Sequence, residues 1–317
     1  MSGSHSGLWV KLDCDESEQM RGGTYWGKMF LTDAFNGIES RDMTAAGNGY
    51  IRYLQHGFSP FDPLELAKKT EEIVCCGDRR KYTKFSCPRM YGGIATGYGC
   101  GCCLRCIFCW VHWSRDSPEK YGSFRSPDEV LYELRRMAHK KRVDQVRISG
   151  AEPTLGKSHL LGVLGRVKRS EFRLFILETN GILIGADPEY AREIARFKKV
   201  HTRVAIKAGT PEAFTRKTGV KPEFFELPFQ GIENLLSAGA SVHVAAMSAD
   251  ERLMEGQERR ILLEKLDSIH PALARNLEEE VVTPYPMAIE RLQHAGFRID
   301  WDGQSGLTNI CSGGHSS

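Results

Sequence analysis

An α/β fold built on a parallel sheet is predicted by three observations. From Tyr91 onward, short apolar runs alternate with amphipathic segments. Several of those segments open on a cap residue followed by proline, as at Ser126-Pro127, Asp187-Pro188 and Thr210-Pro211. The polar, glycine-bearing clusters fall just after the apolar runs, at the strand ends where parallel sheets gather their chemistry. Five or six such units are too few for a closed eight-fold barrel. An open partial barrel and a doubly wound sheet both remain compatible with the pattern.

Taken in order, residues 1–62 carry glycines and scattered aromatics (Trp26, Phe30, Phe35, Tyr50, Tyr53, Phe58) without a sustained period, which predicts irregular structure or short strands. Asp62-Pro63 opens a helix through Leu64, Ala67 and Val74. Gly92 to Thr96 is the expected first strand, with a cysteine-rich loop leaving its end. Ser126-Pro127-Asp128-Glu129 is a capping box, and the helix after it places Val130, Leu131, Leu134, Met137 and Ala138 on one face. Strands are expected at 145–148, 172–177, 204–206 and 241–247. Helices are expected after Asp187, after Thr210, through Ile232 to Gly239, over 251–266 and over 287–295, with a sixth strand at 297–301. The predicted organisation is an N-terminal extension over 1–90, irregular apart from one helix near 63–75, then a parallel-sheet domain over 91–301 and a flexible tail over 302–317.

The chain has 317 residues, 41% of them hydrophobic and 26% charged, which is globular composition with enough apolar material for one large domain or two modest ones. A net charge of +3 is too small to imply nucleic acid by itself. No run of eighteen apolar residues exists, so no membrane-spanning helix is expected, and Met1-Ser2-Gly3-Ser4-His5 lacks the apolar stretch of a secretory signal. Ten cysteines are bunched rather than spread as a staple framework, which points to metal-bound thiolates in a reducing cytoplasm.

Half of those cysteines lie between Gly97 and Trp110, and Cys102, Cys106 and Cys109 are spaced C-x3-C-x2-C. Thiolates suit iron–sulfur clusters, zinc or copper(I). A four-iron, four-sulfur cluster ordinarily takes four cysteines, so a set of three leaves one iron open to an exchangeable ligand. Cys100 and Cys103 stand close enough in sequence to supply a fourth thiolate, so spacing alone does not decide. The competing reading is a zinc site completed by Cys100, Cys103 or His112, although no second C-x2-C pair is present to build a ribbon. Cys75, Cys76 and Cys87 are the other candidate ligands for an auxiliary cluster. The histidines show no metal-ligand spacing, and His243, inside a strand, reads as a satisfied core residue or a polar group of a pocket.

Cys102-x3-Cys106-x2-Cys109, with Phe108 before the last cysteine, resembles the signature of the radical S-adenosylmethionine (SAM) enzymes. Ser149-Gly150-Ala151-Glu152-Pro153-Thr154 is similar to that family's strand-end S-G-G-E-P-T. Leu177-Glu178-Thr179-Asn180-Gly181 and Ile206-Lys207 look like elements of its activating-enzyme branch, typified by pyruvate formate-lyase activating enzyme. The resemblance runs from Tyr91 to Ala249. It implies a partial (β/α)6 barrel similar to an incomplete TIM barrel, and so decides between the two architectures. It further implies a 4Fe–4S cluster on Cys102, Cys106 and Cys109, and a SAM site at Gly150, Ala151, Glu152, Thr179, Asn180 and Lys207. In such enzymes an electron from a ferredoxin or flavodoxin cleaves SAM reductively, and the resulting 5′-deoxyadenosyl radical abstracts hydrogen from a protein, RNA or small molecule.

Three departures matter. Ala151 stands where a second glycine is usual, Glu178 where the branch has aspartate, and Ala205 where it has an acid two residues before the lysine. The alternatives kept open are a glycyl-radical activase and, from another class, a non-catalytic iron–sulfur electron carrier or zinc module.

Overall fold

The computed structural model describes residues 59–283 and 285–297. Asp62 caps the first described helix, α1 (Pro63–Val74), its carboxylate accepting from the amides of Leu64 at 2.7 Å and Glu65 at 3.2 Å. Ala67, Thr70 and Val74 form its buried stripe. Three strands follow: β1 (Cys75–Cys76), β2 (Arg79–Ser86) and β3 (Ala95–Gly99). The strand at 79–86 corrects the reading of that stretch as irregular. Four basic residues, Arg79, Arg80, Lys81 and Lys84, mask an antiparallel strand, which pairs Phe85 with Gly97 and Tyr82 with Gly99.

The remaining elements alternate. They are α2 (His112–Asp116), β4 (Ser123–Arg125), α3 (Pro127–Lys141), β5 (Gln145–Ser149), α4 (Lys157–Lys168), β6 (Leu174–Thr179), α5 (Ile182–Ala186), α6 (Pro188–Ala195), β7 (Val200–Ile206), α7 (Pro211–Thr218), α8 (Leu227–Ser237), β8 (Ser241–Ala246), α9 (Gly256–Ile269), α10 (Pro271–Arg275), β9 (Glu278–Glu279) and α11 (Pro286–His294). The expected capping box is formed: Glu129 donates its amide to Ser126 Oγ at 3.3 Å and accepts from the Ser126 amide at 2.6 Å.

The sheet order is β1-β2-β3-β5-β6-β7-β8-β9, with β4 also on β2. From β3 to β9 every neighbouring pair is parallel. Six parallel strands in chain order, with helices between them, are the partial (β/α)6 arrangement. Parallel strands are covered on both faces, which explains near-continuous apolar runs such as Leu174-Phe175-Ile176-Leu177. Several boundaries shift by two to five residues, as at β6, β7 and α9, and two of the differences have a clear physical reason. The first parallel strand starts at Ala95 rather than Gly92, because Gly92 and Gly93 both take positive φ in a turn where Tyr91 is also left-handed. The sixth parallel strand is Glu278–Glu279 rather than 297–301, a pair of charged residues that hydropathy could not mark as a strand. Positions 298–301, like the tail at 302–317 and the aromatics before Ser59, lie outside the described residues.

Candidate active site

Every loop that matters leaves the C-terminal end of a parallel strand, and together these loops enclose a cavity of about 400 Å³, within the range of small-molecule sites. Cys102, Cys106 and Cys109 line it from the loop after β3. Gly150, Ala151 and Glu152 line it from the loop after β5, Thr179 and Asn180 from β6 and its tip, and Lys207 from the end of β7. All nine site residues expected from sequence thus share one cavity, although 105 residues separate Cys102 from Lys207.

Of the five cysteines in the loop, only three line the cavity. Cys100 is buried, its thiol directed at the carbonyl of Tyr121 at 3.6 Å, and burial pushes its pKa up to about 11. Cys103 is fully buried against Asn180, whose amide nitrogen lies 3.3 Å from its sulfur. Hydrogen bonding to Cys102 keeps Cys103 protonated and draws the pKa of Cys102 down. Burial pushes the Cys106 thiol up to about 12 against the opposing charges of Lys207 and Arg115. A coordinating metal deprotonates such a thiol outright. Three cysteines lining the cavity, with Cys100 and Cys103 buried off its lining as neutral thiols, fit a cluster held by three ligands. They do not fit a closed zinc site, which needs four.

The Glu152 carboxylate is 2% exposed and already occupied. Oε1 accepts from the Thr154 amide (3.1 Å), Thr154 Oγ1 (2.7 Å) and Thr179 Oγ1 (2.7 Å), while Oε2 accepts from the Asn180 amide (2.8 Å). The side chain therefore stitches the β5 loop to the β6 tip. Gly150 carries the positive φ of this loop, at 96°, whereas Ala151 does not require one. The alanine at the usual glycine position is accordingly unstrained.

Lys207 has no hydrogen-bond or ion-pair partner among the described residues and presents its ammonium beside Cys106. Glu178 is bound instead, by Arg147 Nη1 and Ser149 Oγ, both at 2.5 Å. Arg203 is forked onto Glu278 at 2.8 and 3.0 Å and reaches Glu280 at 2.7 Å. His243 donates or accepts within the same set, 2.9 Å from Glu278 and 2.6 Å from His201, a satisfied polar residue as expected.

Arg147, Arg203 and Glu280 line the cavity and were not anticipated as site residues. The available signal was a charge inside an apolar strand, as in Val146-Arg147-Ile148 and Thr202-Arg203-Val204. Met90, Trp110, Val281 and Tyr285, all substantially exposed, line the cavity too.

Residues 98–249 match the sequence profile of the radical SAM superfamily. Those residues form a radical SAM domain. Members of this superfamily are enzymes that bind a 4Fe–4S cluster and SAM, and these are the domain's cofactors. A probable GTP 3′,8-cyclase of Thermoplasma volcanium is 25% identical over 119 residues, 38% of this chain and 34% of that protein, so the chain spans about a third of the length of this curated relative. Among solved structures, anSMEcpe with bound AdoMet and Kp18Cys peptide superposes with a TM-score of 0.44 at 16% identity, covering 62% of this chain and 55% of the other. Streptococcus suis SuiB bound to the precursor peptide SuiA gives 0.37 at 20% identity, covering 46% and 30%. Among the described residues no helix is long and apolar enough to cross a membrane.

Proposed function

We propose that this chain is a radical SAM enzyme in which Cys102, Cys106 and Cys109 hold the 4Fe–4S cluster and SAM occupies the adjoining wall of the cavity. The reading rests on one observation: three loop cysteines line the cavity beside an unpartnered lysine, while Cys100 and Cys103 do not. When bound, the cluster and SAM together supply one-electron reductive cleavage of SAM and, through it, hydrogen abstraction from a substrate. The chain's own residues do the rest. Lys207 meets the SAM carboxylate as its counter-charge. Gly150 and Ala151 offer backbone on the unstrained turn, and Glu152 holds that turn against Thr179 and Asn180 from behind. Arg147, Arg203, Met90 and Tyr285 also line the cavity and are the side chains left to meet substrate. A one-electron donor of ferredoxin or flavodoxin type reduces the cluster.

The broader activity is preferred to that of a glycyl-radical activase. The acid two residues before the lysine is absent at Ala205, which lines the cavity without a charge. An electron carrier would need neither a second wall nor a free lysine.

The experiment is anaerobic reconstitution followed by SAM titration and then reduction. SAM should change the cluster's visible spectrum, and reduction should release 5′-deoxyadenosine above a Cys106→Ala control. A spectrum indifferent to SAM would favour the carrier reading. Lys207→Ala should retain iron and weaken SAM binding about tenfold, the loss of roughly one charge-assisted hydrogen bond; unchanged affinity by equilibrium dialysis would remove Lys207 from the site.

A further inference from the structure

Four arginines hold the cysteine loop by its backbone carbonyls. Arg80, on β2, donates to the carbonyl of Cys100 at 3.1 Å and crosses to the Glu152 loop, donating to the carbonyls of Glu152 at 2.7 Å, Pro153 at 3.0 Å and Leu155. Arg105 donates to Cys102 (2.9 Å) and Leu104 (3.0 Å), and Arg115 to Cys106 (2.7 Å). Arg291, on α11, donates to Ile107 (2.8 Å) and Cys109 (2.5 Å). Arg80, Arg115 and Arg291 are only 1%, 1% and 2% exposed. Asp116 is ion-paired with Arg105 at 3.2 Å and Arg115 at 2.6 Å. Among the described residues no carboxylate lies within ion-pair distance of Arg80, which sets four carbonyl oxygens against its charge.

Buried guanidinium groups are costly unless a negative charge answers them. Carbonyl dipoles answer only part of it. A cluster on three thiolates is anionic and gains a further negative charge on reduction, and its potential follows the net charge and hydrogen bonding around it. We propose that Arg80, Arg105 and Arg115 form an electropositive cradle that raises the cluster's reduction potential, with Arg80 also locking the cysteine loop to the Glu152 loop. This inference rests on the cluster assignment made above and concerns the reduced state that a low-potential one-electron donor must reach.

The test is a redox titration of anaerobically reconstituted protein, read by visible and electron paramagnetic resonance spectra after iron has been quantified. At the wild-type midpoint, Arg80→Met and Arg105→Met should each lower the ratio of reduced to oxidised cluster roughly tenfold, whereas Arg80→Lys and Arg105→Lys should stay near wild type. Asp116→Asn should shift the ratio the opposite way, which a merely structural role for these residues would not produce. If Arg80→Met does not fold, Arg105→Met, at a partly exposed position, and Asp116→Asn still decide the sign. Shifts of the same sign in both, or wild-type midpoints with full iron, would overturn the cradle while leaving the cluster assignment standing. A wild-type protein that takes up no iron would instead overturn the function reading, and the cradle with it.

Discussion

Alanine at Cys102, at Cys106 or at Cys109 is expected to remove the iron almost completely, from about four atoms per chain to near zero. In the proposed site each thiolate is one of three protein ligands, so losing any one leaves two irons short of a protein ligand. The same change at Cys100 or Cys103 should leave iron close to wild type, because these thiols are engaged by Tyr121 and Asn180 and lie off the cavity wall. Cys75→Ala and Cys87→Ala should also retain iron, since neither residue lines the cavity. Iron and labile sulfide per chain, measured after anaerobic reconstitution, decide the matter. Equal loss in Cys103→Ala would mean that a fourth cysteine closes the cluster, and the open position for SAM would be lost from the argument.

The contrast among these cysteines shows where sequence was informative and where it was not. Spacing singled out Cys102, Cys106 and Cys109, which line the cavity, but it could not tell that Cys103 faces Asn180, since neighbouring thiols differ only in direction. Strands with apolar runs, such as β6, and helices with cap-proline starts, such as α3 and α7, were legible because hydrophobic burial and capping are local signals. β2 and β9 were not, for their stability comes from partners far along the chain. Tyr82 finds Gly99, and Glu278 finds Ala245. The same is true of the arginines. Arg291 meets a carbonyl at Ile107, 184 residues away, and nothing near it in sequence announces that contact. Motif reading recovers residues that line the cavity more readily than those that hold such residues in place.

Glu152 illustrates that difference and carries the second large effect. As a motif residue it reads as part of the SAM site, yet its carboxylate is buried and accepts four hydrogen bonds from three residues. Glu152→Ala would leave the Thr154 amide, both threonine hydroxyls and the Asn180 amide without their acceptor in a site closed to solvent. Unmet buried donors cost more than the hydrogen bonds themselves are worth. The expected destabilisation is about 3–4 kcal/mol, seen as a fall of roughly 10 °C in Tm. Glu152→Gln should be milder, on the order of 1–3 kcal/mol, if its amide oxygen keeps the Oε1 partners. Its NH2 group would then face the Asn180 amide, donor against donor, and push the β6 tip away from the β5 loop. Because Thr179 and Asn180 line the cavity, both variants should also weaken SAM binding, and the glutamine variant should do so with its iron intact. Thermal unfolding of the iron-free protein separates the two roles, since no cofactor is present to contribute. A Glu152→Ala melting temperature equal to wild type would show that the carboxylate does not hold the loops together, and direct contact with SAM would become the better account.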